Sequence, residues 1–155
     1  LSQQPRDMRY LAKIALLWSQ LAFAPPTLPV FVQHGIIPTV LHAIEIVSKE
    51  GTDGTLKPTV SRLLCLCVQV LDNMVSASPE YCKIVINDKG DEILQNLMSA
   101  YPADADIVGI CNFALSSIAV GTLDAQEQLL LKLEMKGAAQ DANKVNRMMG
   151  TCTPS

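Results

Sequence analysis

The stretch Pro58–Ser76 reads PTVSRLLCLCVQVLDNMVS. A proline suits the first turn of a helix, where its missing N–H would have no partner anyway. The middle of the stretch, Leu63-Leu64-Cys65-Leu66-Cys67-Val68, is apolar on nearly every side of a helix. Such a helix needs neighbours over most of its surface. The fold therefore depends on whether the rest of the chain can supply them.

It can, and in the same helical language. From Met8 to Ala24 the apolar residues Leu11, Ile14, Ala15, Trp18 and Leu21/Ala22 recur at the spacing of one helix face, and Pro25-Pro26 stops that helix. A short helix from about Thr27 to His34 runs into Gly35. The next, Ile36 to Ser48, places Ile37, Val40, Leu41, Ile44 and Val47 on one side. Gly51–Thr55 is a flexible loop by composition. After Pro58–Ser76, Ser78-Pro79-Glu80 reads as an N-cap, a proline at N1 and an acidic first turn, opening a short helix to about Asn87. Lys89-Gly90 closes it, Asp91 starts another to about Ala100, and Tyr101-Pro102 breaks that one. Asp104 opens a charge-poor helix to about Val120, with Gly121 as its stop. A last amphipathic helix, Leu123 to Lys136, is expected to stop at Gly137, with 138–149 as one more weakly patterned helix. Strand signals are few, and the expected class is all-α.

Composition bounds the rest. The 155 residues are one domain's worth of material, 49% hydrophobic and only 17% charged; a typical soluble domain is roughly 25% charged. The chain is too apolar for a disordered segment. A formal net charge of −3 argues against nucleic acid as the main partner. Neither a signal peptide nor a membrane span is expected: the uncharged run Ile107–Leu123 holds Asn112, Ser116, Ser117 and two glycines. Five cysteines, an odd number set mostly in apolar helical pattern, read as reduced thiols in a cytoplasmic compartment.

Three stretches look alike: Leu17–Ala22, Val70–Val75 and Ala114–Ala119 each close a long apolar helix shortly before Pro or Gly. Each is followed by a short helix ending in glycine, at Gly35, Gly90 and Gly137, and after the first two a second helix begins, Ile37-Pro38-Thr39-Val40-Leu41 and Glu92-Ile93-Leu94-Gln95-Asn96-Leu97. The arrangement resembles the armadillo repeat: short helix, glycine turn, second helix, long third helix. The resemblance covers nearly the whole chain, as a partial repeat 1–24, repeats 25–76 and 78–121, a partial repeat 122–149, and a flexible tail 150–155. It implies one domain, a right-handed solenoid whose third helices line a concave, protein-binding surface. In importin-like and catenin-like members an asparagine near the end of the third helix pairs with the backbone of an extended ligand. The matching positions here are Gln20, Asn73 and Ser117; the tryptophan four residues earlier in importin-like proteins is replaced by Leu16, Gln69 and Phe113.

The residues themselves mark a polar stripe on the long middle helix: Arg62, Cys65, Gln69, Asp72/Asn73 and Ser76 share one side. The repeat offsets map it onto Arg9, Ala12, Leu16, Ser19/Gln20 and Phe23, and onto Asp106, Gly109, Phe113, Ser116/Ser117 and Val120. Three adjacent stripes would make a neutral face with apolar spots at Leu16, Phe23 and Phe113. Its amides at Gln20, Gln69 and Asn73 suit the backbone of an extended peptide. The first long helix has no helices before it, so a preceding repeat is expected to have been removed or supplied by another chain, and exposed solenoid ends favour end-to-end self-association.

Chemistry is sparse. Residues two apart on a helix point about 200° away from each other, so Cys65-x-Cys67 cannot grip one ion and reads as core. His34 and His42 lack a matched Asp or Cys, and the acidic residues Asp88, Asp91, Glu92, Asp104 and Asp106 lack the spacing of a calcium loop; Asp91 and Asp104 suit helix starts. The expected function is a non-enzymatic protein–protein scaffold with no cofactor, no metal and no small-molecule substrate. Its partner is an extended peptide or a folded protein. The competing readings are a regulator gripping a GTPase, motor or cytoskeletal protein, and a thiol-dependent enzyme or redox-regulated protein centred on Cys65 or Cys67.

Overall fold

Two nearly identical turns organise the chain. His34 (φ −88°, ψ 11°) is followed by Gly35 in the left-handed region (φ 70°), and Asp88 (φ −88°, ψ 12°) is followed by Lys89 at φ 59°. The computed structural model describes residues 13–18, 20 and 25–150. Residues 13–18 are helical and Pro25–Thr27 is a single 3₁₀ turn. Then come α1 (Leu28–Gln33), α2 (Ile36–Ser48), α3 (Pro58–Ala77), α4 (Pro79–Asn87), α5 (Gly90–Ala100) and α6 (Ala105–Gly150). No strand occurs among the described residues, and the fold is all-α.

The repeated turn joins α1 to α2 and α4 to α5. Its second occurrence is centred on Lys89, not on Gly90 as the glycine pattern had it. Gly90 instead opens α5 and is buried, because a side chain there would run into Val85. Lys89 accepts the left-handed conformation that Gly35 adopts at no steric cost. The segment expected as a flexible loop is a tight turn: Thr52 and Thr55 exchange both backbone hydrogen bonds at 3.0 Å, across Asp53 and Gly54 at positive φ.

The chain forms two units, Leu1–Thr122 and Leu123–Ser155. In the first, α2 and α3 pack along each other, α3 packs on α4, and α2 on α5. α2 buries the five residues the periodicity assigns to one face, with Ile36 added. α3 buries eleven of its twenty residues, as an apolar-all-round helix must. The Ser78 hydroxyl caps α4 by accepting from the Glu80 N–H at 3.2 Å, and the Tyr101 hydroxyl donates to the Ser48 carbonyl, tying the end of α5 to the end of α2.

The expected helix stops at Gly121 and Gly137 are not stops. α6 runs through both as one 46-residue helix, and the separate helices Leu123–Lys136 and 138–149 merge into it. Gly121 has a packing reason to be glycine: a Cβ there would lie 2.1 Å from the Cys82 sulfur of α4. Cys82 is wholly buried and its thiol donates to the Val75 carbonyl at 3.5 Å. By length and composition α3 and α6 could each cross a membrane. α3 hides 56% of its most apolar window among its neighbours, and α6 hides 28% of its own.

Candidate functional site

α3 and α6 meet through side chains. Asp104, just ahead of α6, accepts a hydrogen bond from the Ile107 N–H on Oδ1 (3.2 Å) and one from the Ser61 hydroxyl on Oδ2 (2.7 Å). One carboxylate thus caps α6 and ties it to α3, and the tie spans 43 residues. Further along, the Cys65 thiol acts on that of Cys111. Both links advance in the same direction, so the two helices run the same way where they meet.

That register sets the stripes side by side. On α3, Arg62, Gln69 and Ser76 are exposed, Cys65 and Asn73 are half-buried, and Asp72 is buried. On α6, Asp106, Gly109, Ser116 and Val120 are exposed, Ser117 is half-buried, and Phe113 is 64% exposed. An exposed phenylalanine on a packed helix is the least expected of these, since aromatic rings carry a large hydrophobic area. The Ser116 and Ser117 hydroxyls donate to the carbonyls of Asn112 and Phe113, which leaves them acceptors toward a partner. Of the first stripe, Leu16 and Gln20 are exposed; Arg9, Ala12, Ser19 and Phe23 lie outside the described residues.

The N-terminal ends of the α3 and α6 stripes converge on an open cleft of about 650 Å³. Ser61, Arg62, Cys65, Asp104 and Asp106 are its polar lining, with Leu56, Pro58 and Ile110 as apolar wall. Two carboxylates against one guanidinium make it mildly acidic. Leu56, Ser61 and Ile110 carry no polar pattern in the sequence, and only the packing of α3 on α6 brings them here. Asp104 was legible as a helix start, but its second bond, to Ser61, was not.

The cleft is poorly suited to thiol chemistry. Burial, then the charges of Asp104 and Asp106, push the Cys65 thiol from 9.0 up to about 11, against a smaller opposing pull from its hydrogen bond with Ser61. Burial pushes Cys67 to about 12, and burial with some help from Cys65 does the same for Cys111. The nucleophilic form is the thiolate, so each is poorly reactive at neutral pH. No group of three or more His, Cys, Asp or Glu side chains among the described residues could hold a metal ion. His34 and His42 are both exposed; His42 sits in a shallow groove of about 300 Å³ between α2 and α5 with Glu45 and Glu92.

Asp72 stands apart. It is 7% exposed, and its Oδ1 is wholly buried with no hydrogen-bond partner. An unsatisfied buried carboxylate oxygen costs on the order of 1–3 kcal/mol or more. It faces inward between its exposed neighbours Gln69 and Ser76, so a partner on the stripe would meet those residues first.

No family model, curated protein or solved structure matches this chain.

Proposed function

We propose that this chain is a non-enzymatic protein-binding module, an armadillo-like stack of helical triplets that holds a protein partner across its long helices. The observation that carries the reading is the exposure of Phe113 and Gln69 on neighbouring parallel helices, with Val120, Ser116 and Ser76 completing a mixed apolar and hydrogen-bonding face. Isolated exposed apolar residues are ordinary. Two exposed apolar residues on one helix, bordered by hydrogen-bonding side chains on its neighbour, have the composition of a protein interface. The repeated turn at Gly35 and Lys89 supports the view that α1–α3 and α4–α6 are two copies of one unit. The cleft at Arg62 and Asp106 gives this face an acidic end, suited to a basic side chain of the partner. Raised thiol pKa values weigh against the thiol-enzyme reading.

The test is co-purification from native cells with the tagged chain, comparing it with a Phe113→Glu, Gln69→Ala variant. Both positions are exposed, so the fold should survive, as judged by circular dichroism. Loss of a stoichiometric protein partner from the variant supports the reading. A partner retained equally by both removes this face from consideration.

A further inference from the structure

The cleft at the head of α3 and α6 is polarised from floor to rim. Its floor is negative. The half-buried Cys65 thiol is pushed up by burial first, then by the charges of Asp104 and Asp106. A thiol whose ionisation is opposed by two carboxylates reports a field that favours positive charge. Arg62 lines the same cleft, three residues from Cys65 on the same helix. Its guanidinium is nevertheless not among the groups that act on the thiol, and its side chain is exposed. The one positive charge of the cleft therefore stands at the rim.

Both carboxylates keep acceptor capacity. Asp104 accepts one hydrogen bond on each oxygen, from Ile107 and Ser61, and a carboxylate has about four acceptor sites. Asp106 is exposed, yet its charge reaches the floor. Leu56 and Ile110 supply apolar wall between floor and rim, and the volume of about 650 Å³ lies within the range of ligand-holding clefts.

A lone inorganic cation would find Arg62 only repulsive. A basic side chain on an extended chain uses every part of the cleft. Its charged tip sits at the end of a hydrocarbon stem, and the backbone carbonyls beside it accept hydrogen bonds, which a guanidinium can only donate. The tip meets the carboxylates, the stem lies on Leu56 and Ile110, and the carbonyls stay at the rim beside Arg62.

We propose that the cleft receives one arginine or lysine side chain from an extended segment of the partner, with Asp106 and Asp104 holding its charged tip and Arg62 donating to the segment's backbone carbonyls. This rests on the protein-binding module proposed above and narrows its partner to an extended segment. Arg62 then helps to bind a ligand of its own sign, the reverse of what a plain acidic patch would require.

The test pans the whole chain against a displayed library of random peptides and measures the best binder by fluorescence anisotropy. The enriched peptides should share an Arg or Lys, and its replacement by Gln should weaken binding about tenfold, as loss of a charge-assisted hydrogen bond does. Asp106→Asn should weaken binding about fivefold, the upper range of an exposed ion pair, and by less at high salt. Arg62→Ala should weaken it about threefold, the loss of one ordinary hydrogen bond, and Arg62→Lys should restore part of that. Both positions are exposed, so the variants should fold, as circular dichroism checks. Enriched peptides without a basic residue, binding untouched by Asp106→Asn, or binding tightened by Arg62→Ala would each overturn the proposal. A library that yields no binder overturns it as well and leaves the module itself standing, since co-purification with the Phe113→Glu, Gln69→Ala variant tests that separately.

Discussion

α3 and the first part of α6 carry the same apolar spacing, yet they are buried differently. At the 44-residue offset, Leu63 and Ile107, Cys67 and Cys111, Val70 and Ala114, and Met74 and Ile118 are buried on both helices. Leu64, Val68, Leu71 and Val75 are also buried on α3, but their counterparts Val108, Asn112, Leu115 and Ala119 are half-buried or exposed. The stripe that differs is wholly covered on α3 and partly open to water on α6. Burial of a helix face is a property of its neighbours more than of the helix itself.

The comparison can be broken most decisively by cutting the same side chain on the two helices. Leu71→Ala should cost about 3–4 kcal/mol, because Leu71 is wholly buried and leaves a cavity. Leu115→Ala should cost about 1 kcal/mol, since its site is open on one side and water can fill it. Denaturant titration of each variant gives the two figures; equal costs would mean that α6 is covered after all.

Glycines on α6 sharpen the contrast at a smaller scale. Gly121→Ala forces a Cβ onto the Cys82 sulfur and should destabilise by about 1–3 kcal/mol. Adding Cys82→Ala should recover much of the loss, a coupling that a double-mutant cycle reads directly. Thiol ionisation supplies an intermediate effect. Cys65, Cys67 and Cys111 titrate higher folded than unfolded, so the unfolded chain releases their protons first. Their contribution to stability is complete below pH 9 and is lost as pH rises toward 11 to 12. Cys67→Ala should flatten the alkaline fall in stability; an unchanged slope would place that thiol in water. The smallest effect is expected at Gly137, where a Cβ meets nothing within 4 Å. Gly137→Ala should stabilise the helix by about 0.5–1 kcal/mol, the backbone entropy that glycine forfeits, read as added helix signal on heating.

Much of the local structure was legible because its causes are local. The apolar spacing of α2 predicts its bounds and its buried face, since a helix face repeats every 3.6 residues whatever surrounds it. Ser78-Pro79-Glu80 predicts a cap because the cap bond closes within two residues. The stripe residues Arg62, Gln69, Asp106 and Phe113 were legible for the same reason, being sited by helix periodicity on the exposed side. Glycine misled where its cause was distant. Gly121 reads as a helix end, but it is glycine because Cys82, in another helix, needs its space. Asp72 belongs by spacing to the exposed stripe, and only packing buries it.

By itself, then, the sequence determined that the chain is helical, where most of its helices begin, and which face of each is apolar, because propensity, capping and periodicity act over a few residues. Tertiary structure alone decided that α6 passes unbroken through Gly121 and Gly137, that Lys89 takes the left-handed turn, and that Asp104 bonds Ser61 to build the cleft. Those outcomes depend on atoms brought together from tens of residues apart, and only close packing specifies them.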